Sequence, residues 1–273
     1  MVKIGLDIGT GFVKCVSDHG SFRFPSLYTR RINGQWTKAV SEAVGDKAAR
    51  MLKTKGTTAI SPICRGRPQK QYQKQVGLLV AEAIGRVYRA VQAPAEKARI
   101  VVGLPYEAAS CKNALTKLIC QESRVESCDV VAQAAGTLVG MRRNTGMVVS
   151  IGQGTSEIVV IEDNKILDGR SLEWASEFIT HKIGRFAHLD TKLLVQHKDI
   201  CSRYAKALAE NLAIEVIDMA SAHGHEQEII VSGGGILIPR VRQELAGRLK
   251  GFNLVVPEDP VMSNAAGLYI MAR

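Results

Sequence analysis

The stretch Ile4-Gly5-Leu6-Asp7-Ile8-Gly9-Thr10-Gly11-Phe12-Val13-Lys14 decides how the rest of the chain is read. Val2, Ile4 and Leu6 alternate with Lys3 and Gly5 as a strand requires, and Val13, Cys15 and Val16 resume an apolar strand beyond the glycines. The glycines therefore form a turn. Gly9 and Gly11 are free to take φ > 0 and carry no Cβ, so successive backbone N–H groups can crowd around an anion. Thr10 adds a hydroxyl and Lys14 a positive charge. Asp7 would repel bare phosphate, and its use beside such a loop is to hold a Mg²⁺ through water. The same residues also describe an ordinary hairpin with a buried aspartate, because short glycine motifs recur by chance.

The pattern returns in the second half. Met147-Val148-Val149-Ser150-Ile151 is an apolar strand, Gly152-Gln153-Gly154-Thr155-Ser156 a glycine turn, and Glu157-Ile158-Val159-Val160-Ile161 a returning strand. Strand, glycine turn and strand thus occur at residues 2–16 and again at 147–161, which predicts two similar domains, each presenting one hairpin to a shared cleft. A third glycine element follows later: Ile229-Ile230-Val231 runs into Ser232-Gly233-Gly234-Gly235, and Ile236-Leu237-Ile238-Pro239 opens a helix. Backbone without side chains there can approach something flat or anionic, or simply turn.

The remaining segments alternate helix and strand. Phe22-Arg23-Phe24-Pro25-Ser26 reads as a strand pairing back across Asp18-His19-Gly20. Residues from about Tyr28 to Gln75 have few apolar runs and hold the basic segment Arg65-Gly66-Arg67-Pro68-Gln69-Lys70, so they read as an exposed outer lobe inserted in the first domain. Val76, Leu79, Val80, Ala83, Ile84, Val87, Tyr88 and Val91 have helical spacing, with Pro94 just beyond. Ile100-Val101-Val102-Gly103-Leu104-Pro105 is a strand covered on both faces. A helix over Glu107 to Gln121, a strand around Cys128 to Val131 and a helix of small residues from Gln133 complete the first domain. Tyr204, Leu208, Leu212, Val216 and Met219 mark a helix, Leu254-Val255-Val256 a strand, and Ser263 to Ala272 a closing helix.

Composition narrows the classes. The 273 residues suit one large domain or two modest ones, and no apolar run approaches the ~18 residues of a membrane span. With no secretory leader before the first strand, the expected location is cytoplasmic. Six cysteines without a C-x-x-C pair argue against a zinc site or a disulfide framework, and the six histidines show no ligand spacing. The balance of 36 Lys+Arg against 26 Asp+Glu, a net +10, favours polyanions without choosing among them.

With both hairpins and the triple glycine placed, the sequence resembles the actin, sugar-kinase and heat-shock-chaperone ATPase superfamily, most closely its prokaryotic actin-like members. Asp7 to Lys14 looks like the first phosphate motif, and Gly152-Gln153-Gly154-Thr155 like the second. Gln133-Ala134-Ala135 falls where the first connecting helix carries the residue that orients the attacking water. Gly233-Gly234-Gly235 matches the adenosine motif and Ser263-Asn264-Ala265-Ala266-Gly267 the second connecting helix. The resemblance implies two α/β actin-like (ribonuclease H-like) domains, 1–146 with 258–273 and 147–257, around a cleft for ATP or ADP with Mg²⁺. Asp7 would hold the hydrated metal, Lys14 would meet phosphate charge, and Gly9, Thr10, Gly11 and Gly152 to Thr155 would bind the phosphates. Lys198 would come within reach of the ribose, though a lone lysine in such a helix also reads as solvated.

Two departures shape the functional expectation. The family's second phosphate strand normally ends in aspartate, and here the position is Ser150, which implies slow hydrolysis. The span from Thr155 to Gly233, about 78 residues, leaves little room for the usual outer lobe of the second domain. Shortened members occur among plasmid-segregation actins of the ParM and AlfA kind. The expected function is an ATPase forming nucleotide-dependent filaments with itself, for plasmid segregation through a DNA-binding adaptor or for cytoskeletal positioning. The alternatives are a monomeric chaperone-like or reactivase protein of the ethanolamine-utilisation type and a small-molecule kinase.

Overall fold

A computed structural model describes residues 1–32, 40–90, 96–224 and 228–273. The chain opens as an antiparallel meander, β1 (Val2–Ile8), β2 (Phe12–Ser17) and β3 (Gly20–Pro25). The outer lobe follows: β4 (Tyr28–Ile32), β5 (Val40–Val44), α1 (Gly45–Met51) and β6 (Thr57–Ile60) build a small sheet in the order β5-β4-β6, and β7 (Ile63–Cys64) pairs with β8 (Arg67–Pro68). Then α2 (Gln73–Ala90), β9 (Ala98–Leu104), α3 (Lys112–Cys120), β10 (Val125–Ala132) and α4 (Gln133–Gly140) complete the first half. The second half runs β11 (Gly146–Ile151), β12 (Ser156–Glu162), β13 (Lys165–Leu172), α5 (Glu177–Thr180), α6 (Thr191–Gln196), α7 (Lys198–His223), β14 (Glu228–Ser232), α8 (Pro239–Arg248), β15 (Asn253–Val255) and α9 (Ser263–Ala272).

The two large sheets have the same topology, with orders β10-β9-β1-β2-β3 and β13-β12-β11-β14-β15. In each, a hairpin strand pair is extended on one side by an antiparallel third strand and on the other by two parallel strands. The layers alternate. On one face of the first sheet lie α2 and α3, with Leu79, Ala83, Ile84, Leu115 and Ile119 fully buried against Ile4, Leu6 and Ile100. Its other face receives Leu268 and Ala272 of α9, against Val101. The second sheet presents Val148, Val159 and Ile230 to Ala134 and Leu138 of α4, and its opposite face is covered by α7 and α8. Helices α4 and α9 pack on each other, so they form the middle layer between the sheets.

That middle layer is held by backbone contact. A Cβ on Gly267 would lie 1.6 Å from the Gly136 carbonyl oxygen, and one on Gly136 would lie 2.4 Å from that of Asn264. A Cβ on Gly5 of β1 would lie 2.1 Å from the Tyr269 nitrogen, so α9 rests on the first sheet in the same way.

One expectation is corrected. The segment Glu107 to Gln121 is not one helix: Tyr106–Cys111 is a 3₁₀ turn before α3, because Glu107 is drawn to the other half, its N–H donating to Ser171 Oγ at 3.1 Å. Strand β13 shows no alternation, being exposed at Lys165, Ile166 and Leu167 and buried only at Gly169. The outer lobe is more ordered than its composition suggests, with Leu27, Ala43 and Ala48 as a core of its own. Val91 and Pro94 lie outside the described residues. The lobe also concentrates charge: residues 28–75 hold eleven Lys and Arg against Glu42 and Asp46, nine of the ten net positive charges. Among the described residues no helix is long and apolar enough to cross a membrane.

The glycine contact is testable by stability. Gly267→Ala should cost on the order of 3 kcal/mol in urea unfolding, since the obstructing atom is backbone and cannot rotate away. Gly247→Ala on α8, where a Cβ meets nothing within 4 Å, should instead gain about 0.5 kcal/mol.

Candidate functional site

The two glycine hairpins are superimposable in their hydrogen bonding. In the first, Asp7 stands opposite Lys14 and the Gly9 N–H donates to the Phe12 carbonyl at 3.1 Å. In the second, Ser150 stands opposite Glu157 and the Gly152 N–H donates to the Thr155 carbonyl at 2.9 Å. Every one of these positions is 143 residues from its counterpart.

The loop carbonyls are tied backwards. Gly9 O accepts from Ser26 Oγ at 2.6 Å, Gly11 O from the Ser26 N–H at 3.0 Å, and Thr10 O from Ser61 Oγ at 3.2 Å. In the second loop Gly152 O accepts from the Ser176 N–H at 3.0 Å and Gln153 O from the Glu177 N–H at 2.7 Å. The N–H groups of Thr10, Gly11, Gln153 and Gly154 have no hydrogen-bond partner among the described residues. Donors left over where acceptors are consumed make a cradle for an anion.

The hairpin glycines do not supply left-handed backbone: none of Gly9, Gly11, Gly152 and Gly154 has positive φ. They supply clearance. A Cβ on Gly154 would sit 2.3 Å from Thr10 Oγ1, and one on Gly11 would sit 3.0 Å from Gln153 Cβ, so the two tips face each other closely. Gly233 does need its freedom, at φ 86°, and a Cβ there would strike the Ile151 carbonyl at 2.3 Å.

Beneath the tips lies a cavity of about 460 Å³, within the usual range for a small-ligand site. Asp7, Gln133 and Ser150 line it, as do Gly9, Thr10, Gly11, Lys14 and all of Gly152 to Thr155, with Gly233 and Gly234 on the far side. Two expected residues stand apart. Gly235 is packed behind, against Ile151, and Lys198 is exposed at the first turn of α7, away from the cavity lining.

Asp7 is 1% exposed, and its Oδ2 accepts from Lys14 Nζ at 2.7 Å while Oδ1 has no partner. A buried carboxylate oxygen facing a cavity is a natural ligand for a hydrated cation. Among the described residues no group of three or more His, Cys, Asp or Glu could hold a metal. A Mg²⁺ at Asp7 therefore needs ligands from water and phosphate, its ordinary mode of binding. The residues present fit that group.

Behind the cavity a polar knot joins the two halves. Thr137 of α4 donates to Asn264 Oδ1 at 2.6 Å and stands 3.1 Å from Ser232 Oγ and 2.9 Å from Ser263 Oγ. Asn264 Nδ2 donates in turn to Ser150 Oγ at 3.3 Å.

Sequence reasoning missed Glu157, His188, Ser176, Thr180 and Asn264's bond to Ser150. Glu157 is fully buried; burial pushes its pKa up to about 8, nearby Asp7 adds to the shift, and the Tyr106 N–H opposes it. A single acid in an apolar strand was the available signal. His188 lines the cavity edge-on to Phe12, centroids 5.9 Å apart, and burial lowers its pKa to about 4. Nothing in its sequence neighbourhood marks it.

The Glu157 shift has a sign that can be checked. The folded protein keeps this proton up to about pH 8, whereas the unfolded chain releases it near its ordinary value of about 4.3. Folding stability contributed by this group is therefore lost as pH rises between those values. Thermal unfolding of Glu157→Gln should show a flatter decline across that window than the natural protein.

Comparison with known proteins places this geometry. No curated protein matches the chain. Its fold is similar to that of the MamK double helical filament, at TM-score 0.75 and 17% identity over 99% of this chain and 98% of that one. It is also similar to MreB 5 of Spiroplasma citri bound to AMPPNP, at TM-score 0.76 and 15% identity over 98% and 95%. A non-polymerising MamK mutant bound to AMPPNP gives 0.70 and 16% over 99% and 98%. The family described as MreB/Mbl protein matches residues 1–226. The chain belongs to the MreB/Mbl family.

Proposed function

We propose that the protein binds ATP with Mg²⁺ in this cleft, hydrolyses it slowly to ADP, and uses nucleotide state to control filaments of its own copies. The observation that carries this reading is the pair of hairpins whose spare N–H groups converge on one cavity above the free oxygen of Asp7. The nucleotide analogue bound in two similar structures, and the double helical filament formed by the protein of a third, support it.

The chain's own groups divide the work. Amides of Thr10, Gly11, Gln153 and Gly154 hold phosphate oxygens, and Lys14 meets their charge while staying paired with Asp7. Mg²⁺, when bound, neutralises charge on the phosphates. Gln133 orients the attacking water, so that positioning and fixed dipoles supply most of the rate. Ser150 offers a hydroxyl where an acid would stand, which keeps turnover slow. Gly233 and Gly234 leave room for the flat base beside Leu237 and Ile238. Lys198 is left out of the site because its side chain is exposed elsewhere.

We read the chain as two units, 1–146 with 258–273 and 147–257, because α9 returns to the first sheet. The filament serves cytoskeletal positioning in the cytoplasm. A DNA cargo would be carried through an adaptor, since segment 65–70 lacks the interleaved aromatics of a base-stacking surface.

Calorimetry and pelleting test this. Gly9→Val directs carbon toward Asp7 Oδ1 and Lys14 Nζ, 3.7 and 3.8 Å from the first added atom, and should weaken ATP binding at least about tenfold. Unchanged affinity would remove the phosphates from the first hairpin. Sedimentation and negative-stain imaging should show filaments with ATP that strengthen in moderate salt, because basic subunits repel and ~0.15 M salt cuts that repulsion to a range of about 8 Å. A protein that binds ATP yet stays monomeric at all salt and nucleotide conditions would be a chaperone-like one.

A further inference from the structure

Glu157 has no task in that reading, yet it is fully buried directly across the ladder from Ser150, which lines the cavity. The repeat explains what is unusual about it. In the first hairpin the acid is on the first strand, Asp7, and Lys14 stands across the ladder. In the second the first strand carries Ser150, and the acid stands in Lys14's equivalent place. The second hairpin thus carries its carboxylate on the opposite strand of the equivalent rung.

Its surroundings join both halves of the molecule. Oε1 accepts from the Tyr106 N–H at 2.9 Å, a group of the first half. Oε2 has no hydrogen bond. The Gln133 side chain and the Ala134 N–H lie near enough to favour the charged form, without closing a bond on Oε2. A buried carboxylate oxygen without a partner is costly, and Gln133 is the neighbouring side chain free to supply one.

We infer that Glu157 is a positioning residue for Gln133, its free oxygen deciding which end of the Gln133 amide faces the cleft. This rests on the ATPase reading. An amide has a donor end and an acceptor end. An ionised Oε2 accepts from Gln133 Nε2–H and leaves Gln133 Oε1 to accept from the attacking water. A protonated Oε2 donates to Gln133 Oε1 and turns the NH₂ to the cleft, where it can only donate and cannot accept a hydrogen bond from the water. With a pKa of about 8 the protonated form prevails at neutrality and the ionised form gains as pH rises through that value. The groups facing Glu157 are Asp7 of β1, which is paired with Lys14 of β2, Ser150 of β11, Ser171 of β13, the Tyr106 N–H and Gln133 of α4. Of these, Asp7 acts through charge and raises the pKa.

Glu157→Gln separates this role from simple stapling of Tyr106. It keeps an oxygen for the Tyr106 N–H but replaces Oε2 with a permanent donor. Binding of ATP with Mg²⁺ should stay within about threefold, while single-turnover hydrolysis falls at least about tenfold and loses its rise between about pH 7 and 9. In the nucleotide-free natural protein labelled with ¹⁵N-glutamine, the Gln133 side-chain signal, identified by its loss in Gln133→Ala, should follow a single titration. That readout needs no folded Glu157 variant. In a Gln133→Ala background, Glu157→Gln should change hydrolysis no further. Hydrolysis and pH profile like the natural protein's in Glu157→Gln, or a Gln133 signal indifferent to pH, would overturn the inference. A natural protein that binds ATP without hydrolysing it overturns it as well; one that binds no ATP removes the parent reading.

Discussion

The structure depends on a place where two helices meet without side chains between them. Gly136 and Gly267 bring α4 and α9 into backbone contact, and each helix lies on a different sheet. Because close-packed interiors resist compression, helices at this separation cannot move nearer, and a slide would drive neighbouring Cβ atoms into carbonyls. What remains is rotation about the contact. The polar knot of Thr137, Asn264, Ser232, Ser263 and Ser150 sits beside this pivot, so a turn of one half against the other is felt at the cavity floor.

Away from the pivot the halves are joined by small polar contacts that can reform. Arg65 pairs with Glu173, and Glu107 and Ser171 exchange backbone and side-chain bonds. These are mostly exposed, and exposed pairs hold weakly. A rigid pivot with a loose rim suits the nucleotide exchange proposed for the cleft. Glu157, bonded to Tyr106 across the same boundary, is the buried exception.

Most of this was written in local sequence pattern. Strand-glycine-strand units are short-range features whose period and turn residues are visible directly, and their repetition announced the two-sheet plan. What escaped depended on partners distant in the chain. The turn at Tyr106–Cys111 is set by Ser171, and β13 is an edge strand whose Ile166 and Leu167 lie exposed, so no alternation marks it. The bareness of Gly11 and Gly154 is explained by each other's loop rather than by backbone dihedrals. Glu157 was legible in principle, because the 143-residue offset that equates Gly9 with Gly152 also equates Lys14 with Glu157. Its burial and its spare oxygen were not.

The outer lobe carries almost all of the net charge while the rest of the chain is nearly balanced. The centre of charge is therefore displaced far from the centre of mass, and the protein behaves as an oriented dipole as well as a cation. In the field of any polyanion it experiences a torque before it makes contact, so it arrives lobe first. Subunits joined head to tail would each present this lobe at the same height. Their displaced charges would then add into a line along one side of the assembly, giving it a face.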